Sequence, residues 1–281
     1  MLASLWGASY MFIKIGLRDM SAEVIVCGRT ALAALVLLPI ALRRGALGPL
    51  RGHVGQLFVL AVIQVAGPFM LITLGEGSIS SSLAGIIVSG APIFSALLAI
   101  LVDQDERLAA RGLAGVAVGL AGVVLLVGIE PGGGVMGALA VLLASLGYSV
   151  GAFYIKRYVG GVPAVGLVTG TMGASALLTL PLALASLPPA LPGSGPVLAL
   201  LALGVGGTGV AFVLFYGLIA EIGPTRASLV AYVAPAFAVA YGVALLDEDF
   251  TALTLLGLVL IVGGSWMAAE GRMPARRGAT A

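Results

Sequence analysis

Polar residues fall in short clusters along this chain, and long runs without charge lie between them. About 20 residues at roughly 1.5 Å each cover the hydrocarbon core of a bilayer. The pattern predicts ten spans: Met1–Leu17, Val24–Leu42, Val54–Leu74, Gly77–Val102, Gly112–Ile129, Pro131–Ile155, Tyr158–Leu187, Pro196–Ala220, Ala227–Leu246 and Phe250–Ala269. The second carries one internal charge, Arg29. The stretch from Tyr158 to Ala220 carries none, and it divides at Ser186–Pro196, where four prolines and two glycines cannot continue a helix. The first span is short, so Lys14 is expected to snorkel to the interface. No basic region precedes its apolar start, so it reads as a retained helix and not as a cleaved signal peptide.

Composition agrees. The chain has 281 residues, 60% hydrophobic and only 9% charged. One soluble core of this length cannot hide that much apolar surface, whereas lipid can face it. The 42 glycines suit membrane helices, whose neighbours protect freed backbone groups. Composition makes the lipid bilayer an expected partner; a small-molecule substrate is expected as well. A homodimer is compatible with the sequence.

Ten spans place both termini on one side. With that side cytoplasmic, inner loops hold Arg43, Arg44, Arg51, Arg107, Arg111, Lys156, Arg157, Arg226, Arg272, Arg276 and Arg277, and outer loops hold Lys14 and Arg18. This bias of eleven to two predicts cytoplasmic termini. The run Arg43, Arg44, Arg51 is a topology signal, and no nucleic-acid partner is expected.

The sequence also repeats. Trp6 and Tyr148, Phe12 and Tyr154, Lys14 and Lys156, and Glu106 and Glu248 each stand 142 residues apart. Pro92 and Pro235 stand 143 apart, each followed by Phe two positions on. From each Glu, glycines follow at +9 and +16, namely Gly115 and Gly122, then Gly257 and Gly264. Two halves of five spans each would be inverted relative to one another, a device of secondary transporters.

This order of features resembles the EamA-type branch of the drug/metabolite transporter superfamily. The residues that carry the likeness are Trp6-Gly7 with Lys14, Arg29, the central prolines Pro92 and Pro235, the acidic clusters, and the glycine-spaced fifth and tenth spans. The resemblance implies an all-α membrane fold of ten helices around a central cavity. It divides the chain into a first repeat (1–130), a second repeat (131–272) and a basic cytoplasmic tail (273–281). It also implies export of amino acids, related metabolites or drugs across the inner membrane by alternating access. The alternative from another class is a membrane-embedded scaffold or accessory subunit without a solute pathway. The second half departs from the pattern, with Thr171 where Arg29 would map.

Gly204 to Gly209 satisfies GxGxxG, but it sits inside a span without a strand before it, so it reads as a flexible or tightly packed eighth helix. Pairs such as Gly115/Gly119 and Gly147/Gly151 read as helix packing. With one cysteine (Cys27) and one histidine (His53), no His/Cys zinc site exists, and no cofactor is implied. Glu76, Glu130, Glu221 and Asp247-Glu248-Asp249 fall at span ends. That leaves no buried acid for a proton relay and no acid/base pair for an enzyme.

Arg29 is the ionisable residue placed well inside a span. Two roles stand open: recognition of a substrate carboxylate, or a structural role in which it reaches the outer interface or pairs with backbone carbonyls. In the fourth span Ser81, Gly85, Ser89 and Pro92 share one helical face. Shifted by 143 they become Pro224, Ser228, Tyr232 and Pro235. Both stripes are expected to face a cavity between the fourth and ninth helices. Each proline frees a carbonyl and permits a kink. Close packing of small residues is the competing reading. The candidate pathway residues are Tyr10, Arg29, Ser89, Pro92, Tyr148, Ser228, Tyr232 and Pro235.

Overall fold

The computed structural model describes residues 1–102, 106–108, 110–129, 134–222, 230–270 and 272–274. Ten helical rods account for nearly all of them. They are α1 (Leu2–Gly16), α2 (Ala22–Arg43), α3 (Gly48–Glu76), α4 (Ser81–Val88 and Ala91–Val102), α5 (Ala110–Ile129), α6 (Val135–Tyr158), α7 (Ala164–Ala185), α8, α9 (Val230–Leu246) and α10 (Ala252–Glu270). The eighth, α8, is built of Ser194–Ala202, Leu203–Val210 and Ala211–Ile222. Seven of the rods are long and apolar enough to cross a membrane. Among the described residues, α1 and α9 are shorter, and α4 is made of two short helices. One exception to the all-α expectation is a short antiparallel pair, β1 (Glu106–Leu108) with β2 (Arg272–Pro274). Pro224, Ser228, Glu130 and the tail beyond Pro274 lie outside the described residues.

Surface chemistry matches a lipid solvent. Leu35, Leu42, Phe58, Val124, Leu143, Leu177, Leu184 and Val259 are exposed, while Thr30, Thr73, Ser145, Ser175 and Ser265 are buried. Thr30, Thr73, Ser145 and Ser175 donate to a carbonyl four residues back, so their hydroxyls are satisfied without water.

Contacts between loops fix which ends lie together. At one end Asp19 accepts from Gly193 N–H, Ser21 donates to the Ser186 carbonyl, and Glu248 meets Ser81 and Ser82. At the other end Gly166 abuts Ala46, β1 pairs with β2, and Arg111 approaches Glu270 at 4.0 Å. Successive rods therefore run in alternating directions.

Packing is close where glycines meet. A Cβ on Gly115 of α5 would lie 2.5 Å from Ala268 N and 2.7 Å from Gly264 O of α10, so these backbones touch directly. Gly7 of α1 meets Ala234, Phe237 and Ala238 of α9 in the same way. In neighbour terms, α1 packs on α9 and α8, α6 packs on α4 and α3, and α2–α7, α4–α9 and α5–α10 pair. Two rods contain π segments, Ala61–Ala66 in α3 and Leu203–Val210 in α8, which begin 142 residues apart.

The α4 rod breaks at Ser89–Gly90. Pro92 has no N–H, which removes the helical donor for the Val88 carbonyl. At the break, the Ser89 carbonyl accepts the Ser265 hydroxyl of α10 at 3.2 Å. Pro235, by contrast, sits inside an unbroken α9, so the helix is interrupted beside its central proline in one half only.

Candidate functional site

Arg29 lies on α2, seven residues in from its start, and is 4% exposed. Among the described residues its hydrogen-bond partner is a side chain and not a backbone carbonyl. Its Nε donates to Thr208 Oγ1 at 3.1 Å, and its guanidinium carbon lies 3.7 Å from the centroid of Phe69. Thr208 is placed by the π segment of α8, and its hydroxyl donates to the Leu203 carbonyl five residues back at 2.9 Å. Gly204 permits this approach, because a Cβ there would stand 2.7 Å from Leu32 Cβ and 3.2 Å from the Arg29 carbonyl oxygen. The GxGxxG stretch is thus a packing seam beside the arginine.

Aromatic rings continue from Phe69. Phe69 meets Phe212 edge-on at 6.2 Å, Phe212 meets Trp6 at 6.1 Å, and Trp6 meets Phe215 at 4.8 Å. A cation over an aromatic face gains about 0.5–2 kcal/mol, more when desolvated. The Nε bond uses one of the five N–H donors of a guanidinium. Among the described residues, no other hydrogen bond or ion pair engages Arg29.

Tyr10 of α1, Tyr148 of α6 and Glu76 of α3 lie within Coulombic reach of Arg29. Tyr10 is buried and Tyr148 half-buried. The structure thus brings three sequence candidates, Tyr10, Arg29 and Tyr148, to one place. Thr171, the position matching Arg29 in the second half, donates to the carbonyls of Leu167 and Val168. The charge is one-sided, as the sequence indicated.

Glu76 requires a correction. It does end a span, as the sequence indicated, but no buried acid was expected, and it is 0% exposed. Both carboxylate oxygens lack a hydrogen-bond partner among the described residues. Its burial follows from the chain that folds over it. Lys14 Nζ donates to the Glu76 carbonyl at 2.6 Å and to the Ile79 carbonyl at 2.7 Å, drawing the α3–α4 turn onto α1. Lys14 is therefore committed to protein carbonyls and does not snorkel to lipid headgroups.

The stripe on α4 also departs from expectation. Gly85 packs on Ala238 and on the Tyr10 ring, so the Lys14 end of the α4–α9 face is a closed seam and not a cavity. Ser89 is 3% exposed, and its hydroxyl donates to the Ile86 carbonyl at 2.6 Å. Tyr232 lies in an apolar groove with Ala236, Leu258, Val259, Val262 and Gly263, and donates to the Ser265 carbonyl at 3.4 Å. Ser89 and Tyr232 are thus joined through Ser265 of α10. Pro92 is half-buried and Pro235 buried. Sequence reading missed Phe69, Thr208 and Phe212. Nothing local marks Phe69, while Thr208 lay inside the glycine-rich stretch.

Ten apolar rods enclosing a desolvated cation define a polytopic membrane protein with a polar interior site. The sequence profile of the EamA-like transporter family matches residues 1–128 and 135–269. The chain belongs to that family and is a multi-pass membrane transporter. Among similar proteins, an uncharacterized inner membrane transporter of Escherichia coli K12, YedA, is 28% identical over 264 residues, covering 92% of this chain and 85% of its own. The uncharacterized transporter YdfC of Bacillus subtilis is 27% identical over 278 residues, covering 94% and 87%. A protein of Escherichia coli K12 named "probable amino-acid metabolite efflux pump" is 24% identical over 277 residues, covering 93% and 90%. A crystal structure superposes with a TM-score of 0.68 at 23% identity, covering 96% of this chain and 95% of that one, which shows the fold.

Proposed function

We propose that this transporter exports small carboxylated metabolites, amino acids and related compounds among them, across the inner membrane by alternating access. The carrying observation is Arg29, a buried cation with one N–H engaged and its remaining donors unmatched by described residues. A planar guanidinium stacked on Phe69 suits a planar carboxylate, which it can bind through two parallel hydrogen bonds. The relative named for amino-acid metabolite efflux supports the same substrate class.

In this reading the chain is two five-helix halves, inverted in the membrane, with both termini cytoplasmic and Lys14 near the outer face. Three features support it: the 142-residue spacing, the π segments that begin at equivalent positions, and the pairs α1–α9 with α6–α4, α1–α8 with α6–α3, α2–α7, α4–α9 and α5–α10, which are preserved when each rod is exchanged with the one five places on.

Purified protein screened against amino acids and other carboxylates should be stabilised thermally by its substrate. Arg29→Gln should lose that stabilisation by at least about tenfold in affinity, the scale of a charge-assisted pair, while reaching wild-type expression. Saturable flux of the same solute in liposomes completes the test. No saturable flux of any carboxylate would defeat the proposal.

A further inference from the structure

We propose that Glu76 is a proton-binding site coupled to opening of the Lys14 end, so that a proton is held on its carboxyl while that end is closed and is released when it opens. The inference rests on the alternating-access reading and adds the ion to it.

Burial is the starting point. Glu76 is 0% exposed, and both of its carboxylate oxygens are buried without a hydrogen-bond partner among the described residues. An ionised carboxylate without partners in an apolar medium is far costlier than the neutral acid. A proton is also the one cation that needs no space of its own.

The surrounding charges do not remove the problem. From α1, Lys14 and the Tyr10 phenol face Glu76; from α2, Arg29 does; from the α9–α10 turn, Glu248 does. Tyr148 of α6 lies near Arg29 and Tyr10. Yet Lys14 gives its hydrogen bonds to backbone carbonyls, Arg29 to Thr208, and Glu248 is engaged by Ser81 and Ser82. No ion pair within 4 Å reaches Glu76 among the described residues.

Geometry ties the proton to movement. The carbonyls of Glu76 and Ile79 are the two acceptors of the Lys14 ammonium, so the contact that closes this end grips the very residue that carries the orphaned carboxyl. Opening the contact would hydrate the carboxyl and stabilise its anion. Closing it would favour the acid. The proton adds to a carboxylate oxygen on closing and returns to water on opening, with no other bond made or broken.

The test needs no substrate. Ile79 is 1% exposed, so Ile79→Cys in a Cys27→Ser background reacts with a maleimide only when the end opens. In proteoliposomes buffered equally on both sides, the labelling rate, normalised to unfolded protein, should rise roughly tenfold per pH unit through the transition, the linkage of one proton to one opening event. Glu76→Gln, a neutral isostere, should label slowly at every pH, and Glu76→Asp should keep a pH-dependent profile. Infrared difference spectra of the closed protein should show a protonated-carboxyl band that Glu76→Gln removes. Glu248→Gln, which weakens a separate contact at the same end, should raise labelling in either background. If it does so while the pH profile stays flat, opening occurs and the proton site is overturned without harm to alternating access. A pH profile that survives in Glu76→Gln overturns it as well. So does a flat wild-type profile in which methylammonium suppresses labelling, which would make Glu76 a site for an amine.

Discussion

Arg29 and Phe69 form a stacked pair 3.7 Å from guanidinium carbon to ring centroid, contributed by adjacent rods α2 and α3. The ring gives the cation an electrostatic partner that competes for none of its N–H donors. Phe69→Leu keeps an apolar filler but removes the π face. It should lower stability by about 1–2 kcal/mol, read as an earlier midpoint in detergent thermal unfolding. Arg29→Lys keeps charge without the fork and should not restore carboxylate binding.

Glu248 accepts four hydrogen bonds at the start of α4: from the N–H and hydroxyl of Ser81 at 2.7 Å each, and from those of Ser82 at 2.9 and 2.5 Å. The N–H groups are unpaired donors of a helix N-terminus, which favours an anion. A double-mutant cycle of Ser82→Ala and Glu248→Ala should give a coupling energy of about 1–3 kcal/mol. Additive effects in thermal or denaturant unfolding would show that the contact carries no weight.

The α5–α10 seam should be intolerant of bulk. Gly115→Val must push its side chain into the backbone at Gly264 and Ala268. A loss of about 1–3 kcal/mol is expected, seen as reduced accumulation in the membrane. Gly128, with nothing within 4 Å of a built Cβ, should accept alanine without loss.

Both termini should be cytoplasmic. A reporter active only in the cytoplasm, fused to Ala281, should give signal. The complementary periplasmic reporter should stay silent, and the reverse result would overturn the proposed orientation.

Much of the fold was legible because lipid imposes a simple rule. Apolar runs with at most one charge marked every rod, and prolines at Ser186–Pro196 marked where two of them part. The position of Arg29 within a span was likewise readable. Its partners were not, since Phe69 and Thr208 are set by which rods adjoin and by how a π segment turns a hydroxyl. The burial of Glu76 was missed for a related reason. Counting along a span gives depth but not whether a turn folds back over the end, and here Lys14 pulls that turn inward. The offsets of Ser81, Gly85 and Ser89 put them on one face of an ideal helix, but small residues suit a seam as well as a cavity, and the packing of Gly85 on Ala238 at the Lys14 end is set by which rods adjoin.

The wide turns at Ala61–Ala66 and Leu203–Val210 make α3 and α8 unlike the other rods in their response to a change of chain length. A π turn is an α turn holding a surplus residue. Deleting one residue there can close it to ordinary α geometry and leave Phe69, Glu76 and Phe212 on the faces they occupy now. The same deletion inside α2 or α7 would swing everything beyond it by about 100° about the helix axis. Across homologous sequences, single-residue gaps in the membrane-spanning regions should therefore gather at these two segments and be scarce in α2 and α7.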